Sequence, residues 1–176
     1  MSSSIHIERF SGLALEKYIS DLARLRIEVF RDFPYLYDGD LEYEENYLKT
    51  YINCPESTIV LAFDDKKVIG ASTAIPMKYE TDEVNKPFIE NGYDPEQIFY
   101  CGESVLQKQY RGLGIGVRFF EEREAHAEAL GGFKHICFCC VERPIDHPHR
   151  PKDYIPLDVF WNKRSYFKHP ELKTTY

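Results

Sequence analysis

No stretch of the 176-residue sequence is long and apolar enough to enter a membrane. The longest apolar runs, such as residues 57–63, fall far short of the ~20 residues that a spanning helix needs. The opening Met1-Ser-Ser-Ser-Ile-His-Ile-Glu8 lacks the basic and apolar segments of a secretory leader. Basic residues are in the minority, 22 Lys and Arg against 29 Asp and Glu. The resulting net charge of -7 and pI near 5.4 exclude a protein that works by neutralising nucleic-acid phosphates. Repeats, low-complexity tracts and linkers are missing. So is a disulfide framework: five cysteines is an odd number, Cys54 and Cys101 stand alone, and Cys137, Cys139 and Cys140 crowd together. Strand alternation would send Cys137 and Cys139 to one face and Cys140 to the other, which cannot form one zinc site. They are expected to be small apolar residues of a buried strand. The chain therefore reads as a cytoplasmic single domain over residues 1–176, with no metal, nucleic-acid or membrane partner.

Hydrophobic residues make up 43% and aromatics 15%, enough for a real core. Alternation predicts a strand over residues 5–10, and apolar residues at helical spacing predict a helix over 13–31, interrupted in its stripe by Arg26. Asp40 is placed to cap a second helix over 41–51. A hairpin follows, 57–63 and 68–75 around the turn 64–67, then a short helix or loop over 82–91. A strand is expected over 98–106, a helix over 115–130 closed by Gly131-Gly132, and an apolar strand over 134–141 buried on both faces. A proline-rich loop, a short helix over 157–164 and a last strand from Tyr166 complete the chain. The fold class is α+β (mixed α/β).

The segment 102–117 carries most of the chemistry. A strand runs into three alternate glycines, Gly112, Gly114 and Gly116, that open a helix. Unpaired N–H groups and the helix dipole make such a place an anion site, and the absent Cβ atoms allow a phosphate to approach. A P-loop would need Lys-Ser/Thr after the last glycine, where Val117 and Arg118 stand. A dinucleotide fingerprint would need G-x-G-x-x-G early in the chain, with an acid about 20 residues on. Neither fits.

The spacing Arg111-x-x-Gly114-x-Gly116 instead matches the R/Q-x-x-G-x-G/A signature of acetyl-coenzyme A binding. The sequence here resembles the GNAT superfamily of N-acetyltransferases, through Leu106, the run 111–116, the following helix and the strand 136–141. The order of the preceding elements agrees. The resemblance implies a mostly antiparallel twisted sheet, splayed between its two central strands, with helices on both faces. It implies that Ser104, Val105 and Leu106 pair with the pantetheine arm, and that Arg111, Gly112, Leu113, Gly114, Ile115, Gly116 and Val117 hold the pyrophosphate. Acetyl-CoA is then the co-substrate and a small-molecule or peptide amine the acceptor. Glu103, the single charge within 98–106, is the candidate base.

The family's usual acid, a tyrosine, corresponds to Trp161, so Tyr154, Tyr166, water or unassisted departure of the thiolate remain as alternatives. The acceptor pocket is expected at Tyr35 and Tyr37, beside the acidic residues Asp38, Asp40, Glu42, Glu44 and Glu45, a combination suited to a cationic amine. Arg143, Arg150 and Lys152 of the proline-rich loop are expected near the coenzyme's phosphates. The short tail after Tyr166 leaves two alternatives, an incomplete chain end or a strand lent by a partner in a homodimer. The competing reading is a catalytically idle acyl-CoA sensor on the same scaffold.

Overall fold

A computed structural model describes residues 5–175. The elements run β1 (Ile5–Phe10), a 3-10 turn (Gly12–Tyr18), α1 (Ile19–Phe30), α2 (Leu41–Asn53), β2 (Thr58–Asp64) and β3 (Lys67–Pro76). They continue with α3 (Asp82–Glu90), β4 (Ile98–Tyr100), β5 (Ser104–Leu106), α4 (Ile115–Leu130), β6 (His135–Cys137) and α5 (Asp158–Asn162). The sheet order is β1-β2-β3-β4-β6, with β5 also on β3. All pairs are antiparallel except β4–β6. Asp40 caps α2 as expected, its carboxylate accepting the Tyr43 N–H at 2.9 Å. No helix among the described residues is long and apolar enough to cross a membrane.

The two faces of the sheet are covered by different helices. Leu22 and Leu25 of α1, Leu48 and Tyr51 of α2 and Val84 and Phe88 of α3 pack with Ala71, Ile75, Tyr100 and Val105 on one side. On the other, Ile115, Phe119 and Ala127 of α4 meet Val60, Ile69, Ala74, Phe99 and Cys101.

Several expectations are corrected. The helix expected over 13–31 begins as a 3-10 turn, and α1 proper starts only at Ile19. The strand expected over 98–106 is two strands separated by a bulge. Between the pairs Tyr100–Ile75 and Ser104–Ser72, three residues (101–103) face two (73 and 74). Thr73 bonds both sides of the irregularity, accepting from Gly102 N–H at 3.1 Å and donating to the Glu103 carbonyl at 3.0 Å. The strand expected over 134–141 is paired only over 135–137 and is not buried on both faces. It lies at the edge of the sheet, and Cys139 and Cys140 are exposed. Apolar composition promises burial only where a neighbour exists, and β6 has one on a single side. Tyr166 onward forms no strand among the described residues.

Candidate active site

β4 and β6 run in parallel register up to Tyr100 opposite Cys137, and one more bond, Cys101 N–H to the Cys137 carbonyl at 2.8 Å, closes the apex. Beyond it the strands part. β5 pairs with β3 on one side, and its other edge, Ser104–Leu106, has no strand partner among the described residues. An unpaired edge offers alternating N–H and C=O groups to any extended chain laid beside it.

That edge leads to the glycine loop. Gly112 and Gly114 have φ of +82° and +80°, and Gly114 is the residue that opens α4. This left-handed geometry favours glycine, and no atom lies within 4 Å of the place a Cβ would take at either position. The Ile115 and Gly116 N–H groups have no carbonyl ahead of them in the helix, while those of Val117 and Arg118 donate to the Gly114 carbonyl. Leu113, Gly114, Ile115 and Val117 line an open groove against Ile5–Ile7. Free N–H groups at a helix start suit an anion, and an unpaired strand edge suits an extended chain. Arg111 folds back here, its Nε donating to the Leu106 carbonyl at 3.3 Å.

At the other end of the edge, the bulge decides where Glu103 points. Simple alternation from Phe99 and Cys101 would turn Glu103 toward α4. The extra residue reverses the sense, so Glu103 shares the α1–α2 face with Val105. There its carboxylate pairs with Arg26, whose guanidinium also pairs with Glu44. Glu44 is 1% exposed, and the Glu103 and Arg26 side chains are 8% and 9% exposed. Burial works against the Arg26 charge, but Glu103 and then Glu44 outweigh it and lift the guanidinium pKa above its ordinary value. The guanidinium is 4.5 Å from the Tyr47 ring centre and 5.1 Å from that of Phe30.

Gly102 is required by close approach. A Cβ there would lie 2.7 Å from Thr73 Oγ1 and nearer still to the Tyr51 hydroxyl. Tyr51 is fully buried, accepts from Thr73 Oγ1 at 3.2 Å and lies 3.2 Å from the Tyr47 hydroxyl. Its hydroxyl also reaches the half-buried Glu80, whose carboxylate takes a second bond from the Thr81 N–H. Burial first, and then the charge of Glu103, push the Glu80 carboxyl up from 4.5 to about 7. Glu80 is also close enough to act on the Cys139 thiol across the fork. Burial raises Tyr47 and Tyr51 well above 10 and Tyr35 to about 12, so these hydroxyls keep their protons.

The remaining expected residues separate into two groups. Tyr35 is tucked against Phe30 and feels Glu103. Tyr37 is more open and hydrogen-bonds Glu44. Glu44 itself is not part of an acidic rim but is buried beneath it, on Arg26. Tyr154 stacks edge-on to Phe33 at 4.7 Å and under Arg150, while Arg143 donates to the Pro34 and Tyr35 carbonyls at 2.9 Å. This contact pins the proline-rich loop across the α1–α2 connection, so Arg143 and Arg150 are engaged there. Tyr166 lies on the opposite side of the sheet and donates to Glu124 at 2.9 Å. Burial raises its pKa well above the ordinary tyrosine value.

Arg26, Tyr51 and Glu80 were not singled out as functional from the sequence, and Glu44 was expected in the acidic rim of the acceptor pocket rather than buried on Arg26. A signal for the buried pair existed: Arg26 and Glu44 each occupy an apolar-stripe position, beside Leu22 and Leu25 in α1 and before Leu48 and Tyr51 in α2. A charge in such a stripe marks a buried pair. Glu80, at the end of a short turn, carried no such mark.

A mixed sheet that forks at a bulge, with a glycine-opened helix on one face and buried carboxylates on the other, has the architecture of the N-acetyltransferases. Over residues 22–150 the sequence matches the acetyltransferase (GNAT) family, and the chain belongs to it. No curated protein matches the sequence. Among solved structures, it is similar to an integron cassette protein from the mobile metagenome of V. cholerae. That match has TM-score 0.61 and 17% identity and covers 99% of this chain and 92% of that one. The aminoglycoside N-acetyltransferase AAC(6')-Iy in complex with CoA aligns with TM-score 0.61 and 13% identity over 100% and 95% of the two chains. The glucosamine-6-phosphate N-acetyltransferase from Arabidopsis thaliana aligns with TM-score 0.55 and 14% identity over 98% of each.

Proposed function

We propose that the protein transfers an acetyl group from acetyl-CoA to a small-molecule primary amine that arrives as a cation. The observation carrying this reading is the continuous path from the glycine cradle, along the free edge of β5, to carboxylates at the fork. The N–H groups of residues 112–116 hold the pyrophosphate, those of Arg111 and Val117 being already donated to the Lys108 and Gly114 carbonyls, and Ser104–Leu106 pair with the pantetheine arm. The acceptor comes from the α1–α2 side, between Tyr35, Tyr37 and the bulge. Arg26 offers one positive charge to two carboxylates, Glu44 and Glu103, and Glu80 adds a third acid close enough to feel Glu103, so the pocket favours a cation. The similarity to aminoglycoside and glucosamine-6-phosphate acetyltransferases supports amino sugars as a first class to try.

Once bound, the ammonium must lose a proton before its nitrogen can attack the thioester carbon. The two carboxylates Glu103 and Glu80 take the proton, Glu80 being held at about 7 by burial and then by the charge of Glu103. A base whose pKa lies near 7 combines availability with strength at neutral pH.

The test is acetyl-CoA binding by calorimetry, followed by free-thiol release with a panel of amines. Release with one class of amine is expected. Binding without release would favour the idle acyl-CoA sensor, and absence of binding would sink the reading. Glu103→Gln should lower kcat about 100-fold with coenzyme affinity held. Because the Glu103 charge raises Glu80, its removal should also move the acid limb of the pH–rate profile to lower pH. An unchanged kcat and profile would remove Glu103 from the chemistry.

A further inference from the structure

The proline-rich loop after β6 carries a cluster that the proposed transfer does not yet use. Arg150 is half-buried, its guanidinium 4.8 Å from the Tyr154 ring centre and 5.7 Å from that of Phe33. The two rings meet edge to face at 4.7 Å, and the His147 ring packs against Phe33 at 5.8 Å. An arginine stacked on aromatic faces keeps its N–H edge free for a planar anion. Among the described residues the Arg150 guanidinium makes no ion pair and no hydrogen bond. Asp146 and Asp153 of the same loop and Asp32 beside Phe33 are exposed, and none of them pairs with it. His147 is oriented too. Its Nδ1 accepts the His149 N–H at 3.2 Å, so the neutral ring carries its proton on Nε2, a second donor.

The cluster is fixed to the wall of the acceptor pocket. Arg143, at the start of the loop, donates to the Pro34 and Tyr35 carbonyls, so the loop is held on residues 33–35 at two points. Phe33 and Tyr35 are two residues apart, at most about 7 Å between Cα atoms. From Tyr35 a run of contacts leads inward: Tyr35 to Phe30 at 4.5 Å, Phe30 to the Arg26 guanidinium at 5.1 Å, and Arg26 to Glu103. Burial follows the same direction. The Glu103 side chain is 8% exposed, while Phe33, His147 and Arg150 are half-buried. Carboxylates thus occupy the floor of the pocket, and unpaired N–H donors stand at its mouth.

We propose that Arg150 and His147 bind an anionic group, a phosphate monoester or a carboxylate, at the far end of the amine acceptor. They thereby select amines that carry such a group. The inference rests on the acetyl transfer proposed above and names its substrate class. The ammonium end goes to the buried carboxylates and the anionic end to the loop, so one molecule meets both signs of charge. The planar fork of Arg150 suits two oxygens of either anion, and His147 Nε2 supplies a further N–H. A second ammonium in the same place would face Arg150 and Arg143. Polycationic amines are therefore disfavoured, since specificity works by repulsion as well as by attraction.

The test compares amines that differ by one anionic group: glucosamine 6-phosphate against glucosamine, and lysine against cadaverine. Each is titrated by calorimetry into the protein, with and without coenzyme A, and then followed in turnover with acetyl-CoA. In at least one pair the anionic member should be favoured about tenfold in affinity and kcat/KM, the worth of one charge-assisted contact. Which pair shows the preference tells phosphate from carboxylate. Arg150→Met should bring that ratio close to one with coenzyme A affinity held, Arg150→Lys should keep part of it, and His147→Gln should lower it by a smaller factor. Equal affinity, or none, for both members of both pairs in the wild type overturns the proposal without any variant. So does a preference that survives in Arg150→Met, or a loss of coenzyme A affinity in that variant, which would place the guanidinium at the coenzyme. If no amine releases thiol, the acetyltransferase reading fails, and the calorimetric ratio still decides for or against the anion site.

Discussion

Arg26→Ala should lower folding stability by about 3–5 kcal/mol, the usual cost of removing one partner of a buried ion pair. At this chain length, where 1 kcal/mol moves Tm by roughly 2–4 °C, the melting temperature should fall by on the order of 10 °C. The loss comes chiefly from what is stranded. Glu44 is 1% exposed, and Arg26 is its only ion-pair partner among the described residues. A stranded buried carboxylate takes up a proton more readily than the same group in the unfolded chain. The deficit should therefore shrink as pH is lowered, a trend that loss of packing alone would not produce. Urea unfolding at a series of pH values measures it. Replacing Arg26 by Met and Glu44 by Gln together should cost less than the two single changes combined, since Glu44 is then no longer stranded and only Glu103 is left without its partner. A pH-independent loss below 1 kcal/mol would show that water reaches the pair.

Glu80→Gln should stabilise the protein above neutral pH by on the order of 2 kcal/mol and flatten its pH dependence. Burial and Glu103 hold the Glu80 carboxyl at about 7 in the fold, above its ordinary 4.5. A raised folded pKa means that the native state binds the proton more tightly than the unfolded chain. The stabilisation is complete below about 4.5 and is lost as pH rises through about 7. Wild-type stability should thus decline across this window, and the glutamine variant should not share the decline. The groups that set this balance are Glu103 at the bulge and the Tyr51 hydroxyl and Thr81 N–H that bind the carboxylate. Turnover should move the other way. Losing half of the carboxylate pair should lower kcat about 10-fold or more while stability rises. Such a stability–activity trade is what strain concentrated at a working site produces. Parallel wild-type and variant stability curves across the window would place Glu80 in open solvent.

Both effects arise at places where one-dimensional pattern and three-dimensional neighbourhood part company. Residues 102–117 were legible because their meaning is local. Alternate glycines at the start of a helix expose N–H groups whatever packs nearby, and positive φ at Gly112 and Gly114 follows from the loop itself. The helices over 41–53 and 115–130 and the hairpin of β2 and β3 were legible for the same reason, since period, cap and turn are properties of adjacent residues.

What only the tertiary structure decided depends on partners distant along the chain. One extra residue against β3 turned Glu103 from the α4 face to the α1–α2 face, because strand alternation reverses at a bulge. That turn brought Glu103 to Arg26, 77 positions away. The apolar run after Lys134 became a sheet edge because no strand lies beyond it among the described residues, and burial is conferred by a neighbour. The sequence by itself determined the elements and the anion-binding loop, through local periodicity and backbone freedom. The tertiary structure decided which charges share a pocket, because electrostatics in a buried site depends on distances that no spacing along the chain encodes.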